Sequence, residues 1–219
     1  GNPFNITVLV NPATQLSSSL TPAAICSNTN FSYIPTSNTA STTNFNWSRA
    51  AVAGITNAAA SGTNGFNEIL VNNTNAPITV TYVYNLATSG GCTNTQSVNL
   101  TVNPIPVLTS LANAPAICGG ATFNYFPSSN VAGTAFTWSR SVQAFINNGA
   151  ASGINNPAEI IISNAITTVP VVYNYTLSAN GCTNQQTVAV NVNPTPNISN
   201  QFVTTCSNAG FTLTPANIP

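Results

Sequence analysis

The chain has 219 residues, of which 43% are hydrophobic and only 2% are charged, and its formal net charge is zero. Average globular proteins have about 25% charged residues. Without clustered positive charge the chain is not expected to bind nucleic acid or an anionic membrane surface. No apolar run approaches the roughly 18 residues of a membrane helix, so we expect no direct membrane insertion.

A repeat of about ninety residues organises the sequence. The two copies together contain every charged side chain of the protein, because the four charged residues are two Arg and two Glu. Each copy has one Arg, one Glu and two Cys at matching positions. The recurring pairs are Cys26 and Cys118, Trp47 and Trp138, Arg49 and Arg140, Glu68 and Glu159, Tyr82 and Tyr173, and Cys92 and Cys182.

This period predicts the domain boundaries. Residues 13–104 form the first repeat and residues 105–194 the second. Residues 1–12 match the last strand of a preceding repeat, and residues 195–219 match the first part of a third. We therefore expect the chain to be a segment of a longer polypeptide, or a unit that neighbouring chains complete.

Alternating apolar residues predict short β-strands along both repeats, whereas helical patterns are nearly absent. Six or seven strands in each repeat predict an all-β protein of tandem antiparallel β-sandwiches. In chain order, the strand signals of the first repeat that stand out lie near residues 31–33, 45–47, 68–71, 80–86 and 98–102.

The connections between these strands have their own signals. Gly90-Gly91 and Asn180-Gly181 favour tight hairpin turns. Segments 50–65 and 141–157 are predicted to be long irregular crossovers, the first with room for a helical turn at 50–53. The Pro-rich segment 102–106, repeated at 192–196, predicts a stiff, extended joint between repeats.

The cysteines favour disulfides and an oxidising, extracytoplasmic compartment. We expect one disulfide in each repeat, Cys26 with Cys92 and Cys118 with Cys182. Cys206 would pair outside this chain segment, because it is the first cysteine of the third repeat. The alternative is five free, buried thiols.

The charged residues are predicted to form an ion pair within each repeat. Arg49 lies two positions after Trp47, so both side chains point to the same face of a strand. Glu68 is the only counter-charge in that repeat, which predicts a partly buried Arg49–Glu68 pair; Arg140 and Glu159 repeat it. The alternative is a clamp for a ligand.

The aromatic residues are predicted to belong to the core. Trp47 and Trp138 follow the alternation of the neighbouring Phe residues, and Tyr82 and Tyr173 lie on apolar strand faces. The alternative for the two Trp residues is a platform on which sugars stack.

Catalytic, metal and cofactor sites are not expected. General acid–base catalysis uses paired His, Asp, Glu or Lys, and each repeat has a single Glu and no His, Asp or Lys. Without Asp or His the chain also lacks the usual clusters of metal ligands. We therefore expect a non-enzymatic protein with no cofactor.

The combined motifs resemble the divergent PKD-like, immunoglobulin-type repeats of very large Bacteroidota surface proteins. The resemblance implies secretion by the type IX system and a filamentous, adhesive role outside the cell, including adhesins of gliding motility. One departure is that the Trp-Asp-x-Gly-Asp signature of better-known PKD domains is missing, because the chain has no Asp. The residues that carry the resemblance are Trp47, Arg49, Gly54, Glu68, Tyr82, Cys92 and Pro104, then Trp138, Arg140, Glu159, Tyr173, Cys182 and Pro194.

These observations predict a structural repeat region of a long extracellular adhesin or filament, built as a stiff stalk of disulfide-linked sandwiches. Its partners would be neighbouring repeats or other copies, since uncharged strand edges favour association. The alternative function is a carbohydrate- or surface-binding β-sandwich module, with a glycan or surface as ligand.

Overall fold

The computed structural model describes residues 3–8, 10–11, 13–39, 43–196, 202 and 204–212. These residues form fourteen β-strands and no helix. They belong to two compact units, one of residues 1–106 with 179–182 and one of residues 107–178 with 183–219. No helix long and apolar enough to cross a membrane occurs in the described part of the chain.

The first unit consists of a five-stranded sheet and a two-stranded sheet. The larger sheet has the order β1-β7-β6-β3-β4 and the smaller one pairs β2 with β5. The pairing of β1 with β7 is parallel and the other pairings are antiparallel. The strands are β1 Ile25–Cys26, β2 Thr29–Tyr33, β3 Thr43–Arg49, β4 Ala60–Thr63, β5 Phe66–Leu70, β6 Ile78–Thr88 and β7 Thr93–Asn103.

The second unit has the same strand order. Its larger sheet is β11-β10-β13-β14-β8 and its smaller sheet pairs β9 with β12. The first strand of the unit, β8, again pairs in parallel with the last, β14. The strands are β8 Asn113–Cys118, β9 Thr122–Phe123, β10 Ala135–Arg140, β11 Ala151–Ile154, β12 Glu159–Ile160, β13 Val169–Ala179 and β14 Cys182–Asn193.

Each core lies between the two sheets of its unit and follows from the period-2 alternation. Side chains of β6 and β7 that point inward are almost completely buried, whereas their neighbours contact solvent. Burying one side chain of this size contributes about 1.5–3 kcal/mol. The inward residues of the first unit are Val80, Tyr82, Tyr84, Leu86, Val98, Leu100 and Val102. The predicted all-β sandwich fold is therefore confirmed.

The hairpins that join the two long strands differ between the units. β13 and β14 are joined by Asn180 and Gly181, which both have positive φ, as a two-residue primed turn requires. β6 and β7 are separated by the longer segment 89–92, in which only Gly91 has positive φ. The dipeptide at 90–91 thus belongs to a wider loop than the sequence predicts.

The segments predicted as irregular crossovers each contain a strand, which the sequence pattern does not predict. β4 and β11 lie inside them and pair with β3 and β10. These strands are small and polar, with the sequence Ala-Ser-Gly in both. Their pairing depends on backbone hydrogen bonds, so no alternation of apolar residues marks them. The proposed helical turn at 50–53 is absent.

The two ends of the chain form no strand in their described residues. The predicted last strand of a preceding repeat is described at 3–8 and 10–11, where Phe4 and Ile6 are exposed. The beginning of the predicted third repeat is described at 202 and 204–212, and the rest of it lies outside the described residues.

A glycine in β11 gives a local test of core packing. A Cβ atom added at Gly153 would lie 2.8 Å from Cζ2 of the buried Trp138 ring. We expect Gly153→Ala to destabilise the second unit by about 1–3 kcal/mol, because the rigid indole has to move. Gly149→Ala is the matched control, since a Cβ there meets no atom within 4 Å. Urea unfolding followed by Trp fluorescence measures both, and equal stability of the two variants would contradict the packing.

Candidate functional site

The predicted ion-pair residues lie where the two sheets of a unit meet. Arg49 is the last residue of β3 and is in register with Tyr82 of β6. Glu68 lies in β5, on the smaller sheet, in register with Phe31 of β2. A contact between Arg49 and Glu68 therefore connects the two sheets across the core.

Arg49 and Glu68 form a bidentate ion pair. Its Nε donates to Oε2 and its Nη2 donates to Oε1, both at 3.0 Å. Nη2 also donates to the carbonyl oxygen of Ala58 at 2.7 Å, and the hydroxyl of Tyr82 donates to the same carboxylate. The Arg49 side chain is 1% exposed and that of Glu68 is 16% exposed. Arg49, Glu68 and Tyr82 thus form a triad in which Arg49 and Tyr82 are buried and Glu68 is partly exposed.

The second unit repeats this triad almost atom for atom. Arg140 Nε and Nη2 donate to Glu159 at 3.0 and 2.9 Å, and the Tyr173 hydroxyl donates at 2.7 Å. Nη2 of Arg140 also donates to the carbonyl oxygen of Gly149 at 2.8 Å. The contribution of the two Tyr hydroxyls was missed from the sequence. The register of Tyr82 with Arg49 is the signal that identifies it.

The triads shift the acid–base equilibria of their members. Burial raises the pKa of the Glu68 carboxyl, but the hydrogen bonds from Arg49 and Tyr82 and the Arg49 charge outweigh it, so the pKa is lowered. The same causes lower the pKa of Glu159. Burial, followed by the hydrogen bond to the carboxylate, raises the pKa of Tyr82 and of Tyr173. Each triad therefore keeps a charged pair and a neutral phenol.

These pKa shifts predict the pH dependence of stability. A lowered pKa of Glu68 and Glu159 in the folded state means that the unfolded chain binds more protons in acid. The stability they contribute is complete above the unfolded carboxyl pKa of about 4.3 and is lost as pH falls through the lower folded pKa. With no His, Lys or Asp, the free energy of unfolding should be flat between about pH 5 and 8. Urea unfolding at stepped pH checks this, and a slope inside that window would contradict it.

The two Trp residues are enclosed in the cores. Trp47 is 8% exposed and Trp138 is 7% exposed. Both indole Nε1 atoms are buried without a hydrogen-bond partner, and each ring packs edge-on against the triad Tyr of its unit. A ring in this position cannot stack on a sugar, so the two Trp residues give no support to a carbohydrate site.

The predicted disulfide pairing is wrong. Cys26 is bonded to Cys182, with an S–S distance of 2.04 Å, a Cα–Cα distance of 5.6 Å and a sequence separation of 156. Cys92, Cys118 and Cys206 are free. The expected bonds Cys26–Cys92 and Cys118–Cys182, one in each repeat, are therefore not formed.

The register of the strands explains this correction. Cys26 is in register with Asn103, the last residue of β7, whereas Cys92 precedes the first residue of that strand. At about 3.3 Å per residue, the two cysteines lie about 35 Å apart, far beyond the reach of a disulfide. Cys118 and Cys182 are separated in the same way along β14.

The first compact unit contains the whole disulfide site, because it includes residues 179–182. The side-chain amide of Asn103 donates from Nδ2 to the carbonyl oxygen of Asn180 at 2.8 Å, two residues before Cys182. The backbone N–H of Ser27 donates to the carbonyl oxygen of Asn103 at 2.7 Å. Asn103 therefore bridges the strand that carries Cys26 and the turn that carries Cys182, a role that the sequence pattern does not predict.

The charged side chains of these sites are paired with one another. Both Glu residues are fully engaged by Arg and Tyr, and the described residues contain no group of three or more His, Cys, Asp or Glu that could hold a metal ion. The geometry of each triad connects the two sheets of its unit. The fold and the two triads define an all-β, immunoglobulin-type sandwich.

Comparison with known proteins finds a family match for part of the chain. Residues 23–106 match the model of the PKD-like domain family. This segment is therefore similar to PKD-like domains. No curated protein matches the sequence.

Several solved structures match most of this chain at low sequence identity. The titin I-band fragment I67–I69 is 7% identical with a TM-score of 0.45, over 85% of this chain and 68% of the titin fragment. The first two immunoglobulin domains of DIP-gamma are 10% identical with a TM-score of 0.39, over 84% of this chain and 98% of theirs. The insect immune protein hemolin is 7% identical with a TM-score of 0.41, over 83% of this chain and 47% of hemolin.

Proposed function

We propose that this chain is a structural, length-holding segment of an extracellular adhesin or filament. The observation that carries the proposal is the Cys26–Cys182 disulfide, which connects two residues 156 positions apart. Tension applied to the two ends of the chain passes from Cys26 directly to Cys182 through this bond. Residues 27–181, between the two cysteines, therefore carry none of this tension.

The consequence is resistance to stretching that does not depend on non-covalent stability. If residues 27–181 unfolded under load, the distance between the chain ends would not increase, because the covalent path is unchanged. A hydrogen-bonded sandwich without this bond would lengthen as it unfolded. The disulfide therefore suits a stalk or fibre that must keep its length.

The strand order supports the same role if the disulfide is reduced. The first strand of each unit pairs in parallel with the last strand, β1 with β7 and β8 with β14. Pulling the two ends of such a unit draws these strands in opposite directions along their axes. Their hydrogen bonds are then loaded together in shear, which resists separation better than opening them one at a time.

The location and the partners of the chain belong to the same proposal. Disulfides persist in oxidising compartments, which supports a position outside the cytoplasm. All four charged side chains are held in the two triads, so the surface lacks the charges that keep strand edges apart. We include in the proposal self-association into a fibre, and the type IX-secreted Bacteroidota surface proteins as the source of such a segment.

Immunogold labelling of intact cells that produce the parent protein tests this function. Antibodies raised against the folded chain should label filaments or stalks outside the cell, and pre-immune serum is the control. An unlabelled surface on intact cells, with the protein detected only in the lysate of those cells or as soluble particles in the medium, would contradict the proposal.

A further inference from the structure

The disulfide site can be compared with two incomplete copies of itself in the same structure. The complete site has three parts: Cys26 on β1, Asn103 at the end of β7, and the turn that carries Cys182. The sequence repeat predicts where each part recurs. Cys118 and Asn193 correspond to Cys26 and Asn103, and Cys92 corresponds to Cys182.

The first incomplete copy surrounds Cys92 and contains the turn and the asparagine of the site. Asn11, which aligns with Asn103, lies against this turn. Its carbonyl oxygen is 3.8 Å from Sγ of Cys92, and a Cβ at Gly90 would lie 2.9 Å from its Nδ2. Gly90 aligns with Asn180, which Asn103 contacts in the complete site. Cys92 and its Asn are therefore in place, and only a cysteine equivalent to Cys26 is missing.

The second incomplete copy surrounds Cys118 and contains the strand cysteine and the asparagine of the site. Cys118 is in register with Asn193, as Cys26 is with Asn103. The N–H of Gly119 donates to the carbonyl oxygen of Asn193 at 2.9 Å, the counterpart of the Ser27 bond to Asn103. Cys118 is exposed, and only a turn cysteine equivalent to Cys182 is missing.

We propose that Cys92 and Cys118 each form this same disulfide with the complementary cysteine of another copy of the repeat. Cys92 corresponds to Cys182, the turn cysteine, and forms a disulfide with the strand cysteine of one other copy. Cys118 corresponds to Cys26, the strand cysteine, and forms a disulfide with the turn cysteine of another copy. The bond between Cys26 and Cys182 is then one member of a series in which each repeat is bonded to the next.

The chemistry needs a disulfide-bearing oxidant, such as a thiol oxidoreductase in its oxidised form. The thiolate of one cysteine attacks the oxidant, forming a mixed disulfide and releasing one oxidant thiol. The second cysteine attacks the protein sulfur of that mixed disulfide and releases the other oxidant thiol. Two protein thiols are oxidised to one disulfide, and the two protons and two electrons end on the oxidant.

The series would consist of overlapping loops. Cys118 lies between Cys26 and Cys182 in the sequence, so its bond to a later copy starts inside the loop closed by the first bond. Cleaving one disulfide then leaves its neighbours still bridging much of the same stretch. This inference concerns only the partners of Cys92 and Cys118. It can fail while the proposed function holds, and the proposed function can fail while these disulfides are present.

Disulfide mapping of the parent polypeptide tests the proposal. Free thiols are alkylated before the cells are broken, and peptic peptides are compared by mass spectrometry with and without reductant. The Cys26–Cys182 peptide is the internal control. We expect Cys92 to be linked to an Ala-Ile-Cys segment, the sequence around Cys26 and Cys118, and Cys118 to be linked to a Gly-Cys-Thr-Asn segment, as around Cys92 and Cys182.

Two results would overturn the proposal. One is alkylation of Cys92 or Cys118 in the mature protein, which shows a free thiol. The other is linkage of like to like, strand cysteine to strand cysteine or turn cysteine to turn cysteine. Both are read from the same digest in which the Cys26–Cys182 peptide proves that disulfides survived.

Discussion

Glu68→Gln is expected to lower the free energy of unfolding of the first unit by about 3–5 kcal/mol. The variant keeps the size of the side chain but leaves the Arg49 guanidinium, which is 1% exposed, without a counter-charge. The Tyr82 hydroxyl also loses the carboxylate to which it donates. A buried charge without a partner is the main cost, because solvent cannot reach it.

Hydrogen exchange followed by mass spectrometry measures this loss in each unit separately. Protection should fall in the first unit and remain unchanged in the second. Glu159→Gln is the matched control and should show the reverse, because Arg140 and Tyr173 form the same triad.

A paired substitution separates the charge from the packing. Arg49→Met with Glu68→Gln removes the stranded charge and should recover part of the lost stability, since apolar replacement of a buried ion pair is often tolerated. Two results would contradict a stabilising role for the Arg49–Glu68 pair. One is equal destabilisation of the single and double variants, and the other is a cost of Glu68→Gln below about 1 kcal/mol.

Loss of the disulfide is the second large effect. Replacing Cys26 and Cys182 by Ser should lower the free energy of unfolding by about 5 kcal/mol in the chain-entropy model, because the bond closes a very long loop. The loop separation is 156 residues. Urea unfolding of the variant and of the parent chain under non-reducing conditions gives the difference.

Cys92→Ser is the control for this experiment. Cys92 forms no disulfide in this structure, so the control should unfold like the parent chain. Equal destabilisation by Cys92→Ser and by the double replacement would contradict the assignment of the bond to Cys26 and Cys182.

The sequence predicted the fold and the ion pairs because their signals are local or unique. Alternation along β6 and β13 marks the buried faces directly. The Arg49 and Glu68 pairing follows from charge scarcity, since each repeat offers one cation and one anion. Neither inference needs to know how strands are arranged in space.

The disulfide pairing could not be predicted in the same way. Disulfides within each repeat and disulfides from each repeat to the next both use one strand cysteine and one turn cysteine per repeat. The ninety-residue spacing of the cysteines in the sequence is therefore compatible with both pairings. Only the register of Cys26 with Asn103 shows that Cys92 is at the far end of β7, and register is a long-range property of the fold.

β4 and β11 were missed for a different physical reason. Their Ala-Ser-Gly sequences carry no apolar alternation and read as a loop. The neighbouring Trp explains the glycine, because the ring of Trp47 lies directly against Gly62. A Cβ atom at that position would lie 3.0 Å from Cζ2 of the ring, so a glycine suits the part of the strand that packs against the large Trp47 side chain.

Single-molecule force extension of the chain, held at its two ends, tests the length-holding role most directly. Under oxidising conditions, unfolding of residues 27–181 should add no length, because the Cys26–Cys182 bond carries the load. Adding a reductant should release a loop with a contour length of about 500 Å. The same extension with and without reductant would contradict the account.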